Sequence, residues 1–323
     1  MRAYLDFEKP IAELDGRIED LQRMDGDAGV NVDDEINKLQ AKADQLLLET
    51  YGKLSRWQKT QVARHAGRPH FQDYVGMLVD DFTPLSGDRV FGDDAAIIGG
   101  PAFLRGEAVM LIGHEKGDDT ASRLKHNFGM ARPEGYRKTM RLLDLAERFG
   151  LPVIMLVDTP GAFPGRGAEE RGQAEAIASC TQACLNFKGA LISVIVGEGG
   201  SGGAVALAAA NRIFMLEHSV YSVISPEGCA SILWKDAAAR GESKAPDAAE
   251  AMKISAADLE QLKVIDSVIE EPVGGAHRDP QLMAERLGDV LEAAMRELKD
   301  LSPEDLRAQR REKFLNVGRV GLA

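Results

Sequence analysis

A run of five glycines between a buried strand and a helix is the part of this sequence best suited to chemistry. Residues 192–196 are Ile-Ser-Val-Ile-Val, which predicts a strand buried on both faces, and the alanine-rich residues 204–210 predict a closely packed helix start. Between them lie Gly197, Gly199, Gly200, Gly202 and Gly203. Because glycine has no side chain, another group can approach the backbone, and the free N–H groups of a helix start attract negative charge. The run therefore predicts a site for an anion or a developing oxyanion, made of backbone donors.

Two nucleotide-binding patterns fit this glycine run, and each lacks a part that its chemistry requires. Gly197, Gly199 and Gly202 have the G-x-G-x-x-G spacing of dinucleotide-binding proteins. That motif normally opens the first strand–helix unit of its domain, whereas several such units precede it here. The run also has the spacing of a phosphate-binding loop, but Gly203 and Ala204 replace the lysine and the serine or threonine. Neither pattern therefore predicts a nucleotide-binding site here.

A third pattern predicts nucleophilic catalysis. The residues around Ser201 match the G-x-S-x-G nucleophile elbow, in its usual place between a strand and a helix. Asp266 and His277 follow in the order that a serine hydrolase of this type needs, although six histidines make a chance match easy. Two alternatives therefore stay open: a serine hydrolase using Ser201, and a noncatalytic docking subunit whose glycines only allow tight strand–helix packing.

The composition of the whole chain argues against several classes of function. Its 323 residues carry a formal charge of -12, which disfavours general attraction to nucleic acid or to anionic membranes. The chain starts without an apolar signal segment and has no run long enough to span a bilayer, so we expect a cytoplasmic protein. Cys180, Cys184 and Cys229 are too few for a disulfide framework, and we expect buried thiols and no metal in this chain.

Strands and helices alternate after residue 93. Strands are predicted at residues 108–112, 152–157, 191–196 and 212–216, and helices at residues 134–149, 168–187 and 203–210. This alternation predicts an α/β fold with a mostly parallel sheet. Ligands of such sheets bind at the carboxyl ends of the strands. Three of these ends carry unusual loops, which we expect to form one wall of a cleft: residues 113–117, residues 158–165 and the glycine run.

Both ends of the chain are predicted to be helical. Apolar residues recur every three or four positions on either side of the turn-like residues 25–29, which predicts an αα-hairpin over residues 1–50: Ile11, Leu14, Ile18, Leu21, Ile36, Leu39, Ala43 and Leu46. Two short helices bury little surface alone, so this hairpin either packs on the main domain, residues 51–323, or binds a partner. The charged segment after Pro280 predicts a solvent-exposed amphipathic helix.

Two polar features have both a functional and a structural interpretation. Basic residues are concentrated in one stretch of this acidic chain: Arg123, Lys125, Arg132, Arg137, Lys138, Arg141 and Arg148. They could receive the phosphates of a nucleotide-like ligand, or they could form the solvent face of a helix with neighbouring acidic side chains. Ser225, followed by Pro226 and Glu227, predicts a capped helix start close to the expected cleft.

Longer blocks of sequence carry a more specific signal than these short patterns. They include Gly197-Glu-Gly-Gly-Ser-Gly-Gly-Ala204, Asp158-Thr-Pro-Gly-Ala-Phe-Pro-Gly165, Gly167-Ala-Glu-Glu-Arg-Gly-Gln173 and the segment from Tyr221 to Trp234. In this order they closely resemble the alpha subunits of bacterial acetyl-CoA carboxylase carboxyltransferases. Residues 5–14, 127–130, 133–138 and 271–277 extend the resemblance over nearly the whole chain.

The resemblance implies both a fold and a reaction. The fold is the crotonase-like (ClpP/crotonase) spiral of ββα units, which agrees with the alternation of elements. The reaction transfers a carboxyl group from carboxybiotin, held on a biotin carboxyl carrier protein, to acetyl-CoA and yields malonyl-CoA for fatty acid biosynthesis. Biotin carboxylase, a partner, would use the ATP. The chain would be active only with a beta subunit, in an α2β2 heterotetramer.

The resemblance also implies roles for individual residues. The backbone N–H groups of Gly202 and Gly203 are assigned to an oxyanion hole for the ureido oxygen of biotin. Contacts with carboxybiotin are assigned to Gly161, Ala162, Gly199, Gly200, Ser225 and Pro226. The zinc-binding cysteines of the family belong to the beta subunit, and no such motif occurs here. Lys188-Gly189-Ala190 departs from the proline expected before the strand, a change expected to affect only a surface turn.

Overall fold

One mixed sheet forms the centre of the molecule. The structure, a computed structural model, describes residues 3–28, 33–236 and 240–319. The strands in these ranges are β1 (Val79–Asp80), β2 (Ile97–Leu104), β3 (Glu107–His114), β4 (Val153–Thr159), β5 (Leu191–Gly200), β6 (Arg212–Leu216), β7 (Val220–Ser222) and β8 (Ser267–Ile269). Their order is β1-β2-β3-β4-β5-β6-β8, and β7 pairs with the last residues of β5.

Strands β3 to β6 run parallel, which confirms the prediction made from their alternation with helices. β8 continues this parallel arrangement beside β6. The sequence did not predict β1, β2 or β8, and the first two add an antiparallel edge to the sheet. β2 contains Gly99-Gly100-Pro101, residues that are depleted in strands, so its strand character was hidden. The carboxyl ends of β3, β4 and β5 lie side by side at one edge.

Helices surround the sheet on both faces. They are α1 (Lys9–Ala28), α2 (Asp33–Tyr51), α3 (Arg56–Ala63), α4 (Phe71–Leu78), α5 (Thr120–Lys125), α6 (Pro133–Phe149), α7 (Arg166–Glu170), α8 (Gln173–Asn186), α9 (Ser201–Ala208), α10 (Pro226–Leu233), α11 (Ala245–Met252), α12 (Ala256–Gln261), α13 (Pro280–Leu298) and α14 (Pro303–Asn316). Across the ranges that the structure describes, no helix is both long and apolar enough to cross a bilayer.

The two faces of the sheet give the molecule two apolar cores. Along β4, Val153, Met155 and Val157 face a core shared with α6, α8 and α9. Ile154 and Leu156 face the other core, which contains side chains of α4 and α13. A strand buried on both faces reads as a continuous apolar run, which is why β4 and β5 could be predicted from sequence.

The segment after Pro280 is an amphipathic helix, as predicted, but its apolar side is part of the core, which corrects the expectation of a solvated surface helix. Helix α13 buries an apolar side against the sheet, including Met283, Leu287 and Leu291. Helix α14 has few apolar residues but carries a fully buried arginine, Arg310. The many charges of this segment concealed how much of it is buried.

Arg310 holds the end of α8 and the turn that follows it. Its guanidinium donates to the carbonyl oxygens of Cys184 and Phe187, at 2.7 Å each, and of Gly189 at 2.9 Å. No carboxylate pairs with it among these contacts, and burial lowers the pKa of Arg310 to about 10. The turn at residues 188–190 lies at the surface, as expected, but its Gly189 carbonyl also binds a buried side chain, so the turn is more than a surface feature.

Helices α1 and α2 pack against each other, as the hairpin pattern predicted, and are attached to the main body. Glu8 accepts hydrogen bonds from Tyr51 at 3.0 Å and from Arg278 at 2.9 Å. Helix α1 continues through Ala28, so the predicted turn is wrong for residues 25–28, and residue 29 lies outside the described ranges. A division into units 1–50 and 51–323 stays a prediction.

Candidate functional site

The join between β5 and α9 forms the sharpest strand-to-helix turn of the candidate site. Strand β5 extends to Gly200 and α9 begins at the next residue, so no loop separates them. Ser201 has a φ of 53°, in the left-handed region. The first N–H groups of a helix have no acceptor within it, and Gly200 at the N-cap has no side chain that could accept from them. The N–H groups of Ser201, Gly202 and Gly203 therefore have no acceptor within the helix, and their role as donors to a ligand stays a prediction.

Two of the glycines allow the loop after β4 to pack directly on this join. A Cβ at Gly200 would lie 2.2 Å from the carbonyl oxygen of Pro160, and one at Gly203 would lie 2.9 Å from the carbonyl carbon of Gly161. Any side chain at these positions would displace backbone. Gly199 is also crowded, because a Cβ there would lie 2.9 Å from the ring of Tyr221.

A cavity of about 450 Å³ lies beside the join and contains several of the predicted site residues. Its lining includes Gly161, Ala162, Ser201 and Ser225. Gly202 lies against Ile177, which also lines it. The structure therefore brings the loop after β4, the start of α9 and the start of α10 to one place.

The remaining predicted site residues, including Gly202 and Gly203, are not among those that line the cavity. Gly199 and Gly200 pack on Tyr221 and Pro160, and Pro226 is buried at the first position of α10. The side chain of Ser225 accepts a hydrogen bond from the N–H of Gly228 at 3.1 Å, which confirms the predicted helix cap.

The sequence reading missed a cluster of charged residues under the glycine run. Lys116, which follows β3, pairs with Asp158 of β4 at 2.6 Å and lies 3.8 Å from Glu198 of β5. Glu198 also pairs with Arg64 at 2.6 Å, and Arg64 pairs with Glu227 of α10 at the same distance. Together these side chains join the ends of three neighbouring strands. These charged residues are far apart in the sequence, so no local pattern predicts that they meet. The one local sign is glycine at position 197, which leaves room for the Asp158 carboxylate.

A second buried ion pair supports the same strand. Arg68 donates to Glu271 at 2.8 Å and to the carbonyl oxygen of Val196 at 2.9 Å. Burial by itself would raise the pKa of Glu271, but the charge of Arg68 and its hydrogen bonds outweigh burial and lower that pKa to about 2. Glu271 is therefore ionised at neutral pH.

The structure does not assemble the Ser-His-Asp triad that the serine hydrolase alternative requires. Asp266 accepts from the N–H of Ile213 and pairs with Lys313 at the amino ends of β6 and β8. Ile213 is in register with Ser193, seven residues before the end of β5, which places Asp266 on the order of 20 Å from Ser201. His277 instead stacks on His65, with ring centroids 3.8 Å apart.

Most of the basic residues between positions 123 and 148 have partners within the chain. Arg137 pairs with Asp88 at 2.8 Å, and Lys138 pairs with Asp93 at 2.6 Å. Arg132 lies over the ring of Phe163. These contacts attach α6 to the loop before β2, so they favour a structural interpretation over a phosphate site. Of the charge pairs expected along this helix, the structure has the one between Arg137 and Glu134.

The two cysteines of α8 are packed inside the first core. The sulfur atoms of Cys180 and Cys184 both lie 3.4 Å from the carbonyl oxygen of Ala206. Both thiols are buried and free of disulfides. Within the described part of the chain, no group of three or more His, Cys, Asp or Glu side chains is placed to hold a metal ion.

Comparison with solved structures identifies the class of protein that this sheet and helix start define. The transcarboxylase 12S with methylmalonyl-coenzyme A and methylmalonic acid bound aligns over 72% of this chain and 42% of its own, with a TM-score of 0.58 and 16% identity. The Pseudomonas malonate decarboxylase hetero-dimer aligns over 77% of this chain and 95% of its own, with a TM-score of 0.55 and 20% identity. The chain has the crotonase-like fold of carboxyltransferases.

Comparison with known sequences narrows this class to one family. The family described as acetyl co-enzyme A carboxylase carboxyltransferase-like matches residues 4–318. The acetyl-coenzyme A carboxylase carboxyl transferase subunit alpha of Paramagnetospirillum magneticum is 59% identical over 319 residues, 99% of each chain. That of Zymomonas mobilis is 61% identical over 318 residues, 98% of this chain and 100% of its own. The chain belongs to this family of carboxyltransferase alpha subunits, and its function is carboxyl transfer.

Proposed function

We propose that this chain provides the carboxybiotin half of an acetyl-CoA carboxylase carboxyltransferase site, and that a beta subunit provides the acetyl-CoA half. The N–H groups of Gly202 and Gly203 donate hydrogen bonds to the ureido oxygen of biotin. A biotin carboxyl carrier protein delivers the biotin, which biotin carboxylase has carboxylated with ATP. The observation that supports this proposal most directly is the uncapped helix start beside a cavity of about 450 Å³.

Backbone donors at a helix start suit the charge change of this reaction. Carboxylated biotin supplies the carboxyl group, and negative charge grows on its ureido oxygen as that group leaves. The N–H groups of Gly202 and Gly203 are held in place before the reaction and need no reorganisation to meet this charge. In other enzymes, loss of one such donor costs about 2.7–4 kcal/mol of transition-state stabilisation.

The size of the cavity suits a compact ring system, and its lining combines apolar and polar groups. Small-ligand sites typically enclose about 300–1,000 Å³, mostly with apolar walls and a few polar groups that orient the ligand. Here Ala162, Ile177 and Ile224 supply apolar walls, and Ser201 and Gln173 supply polar groups. The backbone of Gly161 and Ala162 completes the side facing α9, where only glycine at position 203 allows this approach.

Gly202 distinguishes this proposal from the noncatalytic docking subunit. If the glycines served only tight packing, each would be a position where a side chain collides. A Cβ at Gly202 would lie 3.4 Å from Ile177, an ordinary contact, and its φ does not require glycine. Packing therefore does not explain glycine at this position, which favours a role for its half-buried backbone.

An apolar surface beside the cavity suits the partner that this proposal needs. Val223, which lines the cavity, is 77% exposed, and Ile232 and Leu233 of α10 are 58% and 67% exposed. We call these three side chains the apolar rim. Protein interfaces are centred on apolar side chains that lie exposed in the isolated chain. We assign the apolar rim to contact with the beta subunit.

The donor assignment can be tested by removing one N–H group and little else. Replacing the residue at position 202 by lactic acid turns the amide into an ester and deletes the donor. The matched control is Gly202→Ala, which carries the same methyl group and keeps the N–H. In the complex with the beta subunit, we expect kcat of the ester variant to be about 10²–10³-fold below that of Gly202→Ala.

The assay measures carboxyl transfer between malonyl-CoA and biotin methyl ester. Circular dichroism and co-elution with the beta subunit establish that both variants are folded and assembled. Equal kcat values for the ester and alanine variants would show that Gly202 donates no catalytic hydrogen bond.

A further inference from the structure

The buried pair Lys116–Asp158 lies directly beneath the glycine run, outside the cavity assigned to biotin. The side chains of Lys116 and Asp158 are 17% and 5% exposed, and their charged atoms are 2.6 Å apart. They line a separate cavity of about 230 Å³, with Pro160 common to both cavities. Nothing in the proposed transfer step uses this pair directly.

Asp158 is connected to the glycine run through the backbone. Its carboxylate accepts a hydrogen bond from the N–H of Glu198 at 2.8 Å, across from β4 to β5. A Cβ at Gly197 would lie 2.5 Å from the same carboxylate oxygen, so glycine at this position leaves room for the contact. Beyond this point, β5 has only Gly199 and Gly200 before α9 begins. The orientation of the Asp158 carboxylate thus helps to set the position of the first residues of α9.

Lys116 is in turn held by a turn of unfavourable backbone geometry. Asn127, Phe128 and Gly129 have φ values of 48°, 57° and 77°, three successive left-handed residues. Such conformations cost free energy for residues other than glycine and persist where surrounding contacts enforce them. Gly129 packs so closely on Lys116 that a Cβ would lie 2.9 Å from Cγ of the lysine. The turn therefore limits the positions that the ammonium group can take.

We propose that Lys116 and Asp158 are positioning residues for carboxyl transfer. Lys116 fixes the Asp158 carboxylate, which holds the N–H of Glu198 and so sets the direction of the donors at Gly202 and Gly203. The inference rests on the proposed oxyanion role of those two donors. A displacement of about 1 Å in a catalytic group can reduce a rate on the order of 10²-fold.

The primary test replaces Lys116 by methionine in the full complex with the beta subunit and measures hydrogen exchange as well as kinetics. We expect amide exchange of Glu198 to quicken at least about tenfold, because its acceptor is no longer held. We expect kcat for transfer from malonyl-CoA to biotin methyl ester to fall about 10–100-fold, with KM for malonyl-CoA unchanged within about twofold. Lys116→Arg retains the charge, so we expect its exchange rate at Glu198 and its kcat to stay close to those of the unsubstituted chain.

Lys299→Met is the matched control. Lys299 pairs with Glu107 at 2.8 Å, at the opposite end of the strand that Lys116 follows, and is 63% exposed. We expect Lys299→Met to change neither the amide exchange rate of Glu198 nor kcat. If the Lys116→Met chain does not assemble with the beta subunit, the same measurements are made on Asp158→Asn. That substitution removes the charge of the carboxylate and keeps the size of the side chain.

Four results separate this proposal from the one on which it depends. Unchanged exchange at Glu198 in an assembled Lys116→Met complex overturns the positioning role, whatever happens to kcat. Quickened exchange with unchanged kcat overturns it as well. If the ester at position 202 lowers kcat while Lys116→Met does not, the positioning role fails and the oxyanion assignment stands; an ester without effect refutes the oxyanion assignment itself.

Discussion

Single residues around the candidate site act mainly by leaving space for backbone and by balancing buried charge. Gly200 and Gly203 admit the loop after β4, and Gly197 admits the Asp158 carboxylate. The charges beneath them are almost all paired, because an unpaired buried charge would cost several kcal/mol. Ser201 occupies a left-handed position and lines the cavity, but Asp266 lies at the amino ends of β6 and β8, and the ring of His277 stacks on His65.

At this scale we predict that Glu271→Gln destabilises the protein by about 3–5 kcal/mol at pH 7, because it leaves Arg68 buried without a counter-charge. The pKa of Glu271 is lowered from 4.5 to about 2, so its carboxylate contributes its full stability above pH 4.5. That contribution is lost as the pH falls from 4.5 towards 2. Urea unfolding at pH 7, 5 and 4 should therefore show the gap between the two proteins narrowing with acid. A gap that is absent at pH 7, or that widens with acid, would contradict the prediction.

Among the secondary-structure elements, α14 shows how one polar residue can attach a whole helix. Few of its side chains are apolar and buried, so the hydrophobic contribution to its docking is small. Arg310 compensates by satisfying carbonyl groups at the end of α8 and in the turn before β5. Carbonyl groups in such a place need a donor, because water cannot reach them.

We predict that Arg310→Met lowers the free energy of unfolding by about 2–4 kcal/mol, since several buried carbonyl groups lose their donor. Arg307→Met, an exposed position on the same helix, should change it by less than about 0.5 kcal/mol. Urea unfolding followed by circular dichroism measures both. Equal stability of the two variants would show that α14 is held by its other contacts.

At the scale of the whole molecule, the proposed site lies at the carboxyl ends of the parallel strands. Val223 of the apolar rim lines the cavity, Ile232 and Leu233 stand on the helix that begins beside it, and the proposed reaction brings two large carriers together there. An enzyme that joins two substrates gains most of its rate from holding them in a reactive orientation. We therefore expect the beta subunit to complete the site as well as to bind acetyl-CoA.

We predict that Leu233→Asp weakens the complex with the beta subunit by more than about tenfold in Kd, because it places a charge in an apolar contact. Phe149→Asp is the control: Phe149 is 72% exposed and ends α6 near the amino end of β4. It should leave Kd unchanged. Titration by isothermal calorimetry gives both values, and equal Kd values for Leu233→Asp and the unsubstituted chain would remove the apolar rim from the interface.

Much of the fold and part of the site could be predicted from local sequence. The apolar runs of β4 and β5, the glycine run and the Ser225 cap are each defined by neighbouring residues, and the structure has all of them. Strand β2 was not predicted, because it contains two glycines and a proline, residues that are depleted in strands. The resemblance to alpha subunits, carried by long ordered blocks, identified the family that the comparisons show.

By itself, the sequence determined a mostly parallel α/β sheet, a glycine-rich helix start after β5 and the family of carboxyltransferases. Only the tertiary structure decided that Lys116, Asp158 and Glu198 meet, that Asp266 lies far from Ser201, and that Arg310 is buried. The physical reason is the range of the interactions. Backbone conformation and strand burial depend on residues a few positions apart, whereas ion pairs across strands depend on which segments the folded sheet places side by side.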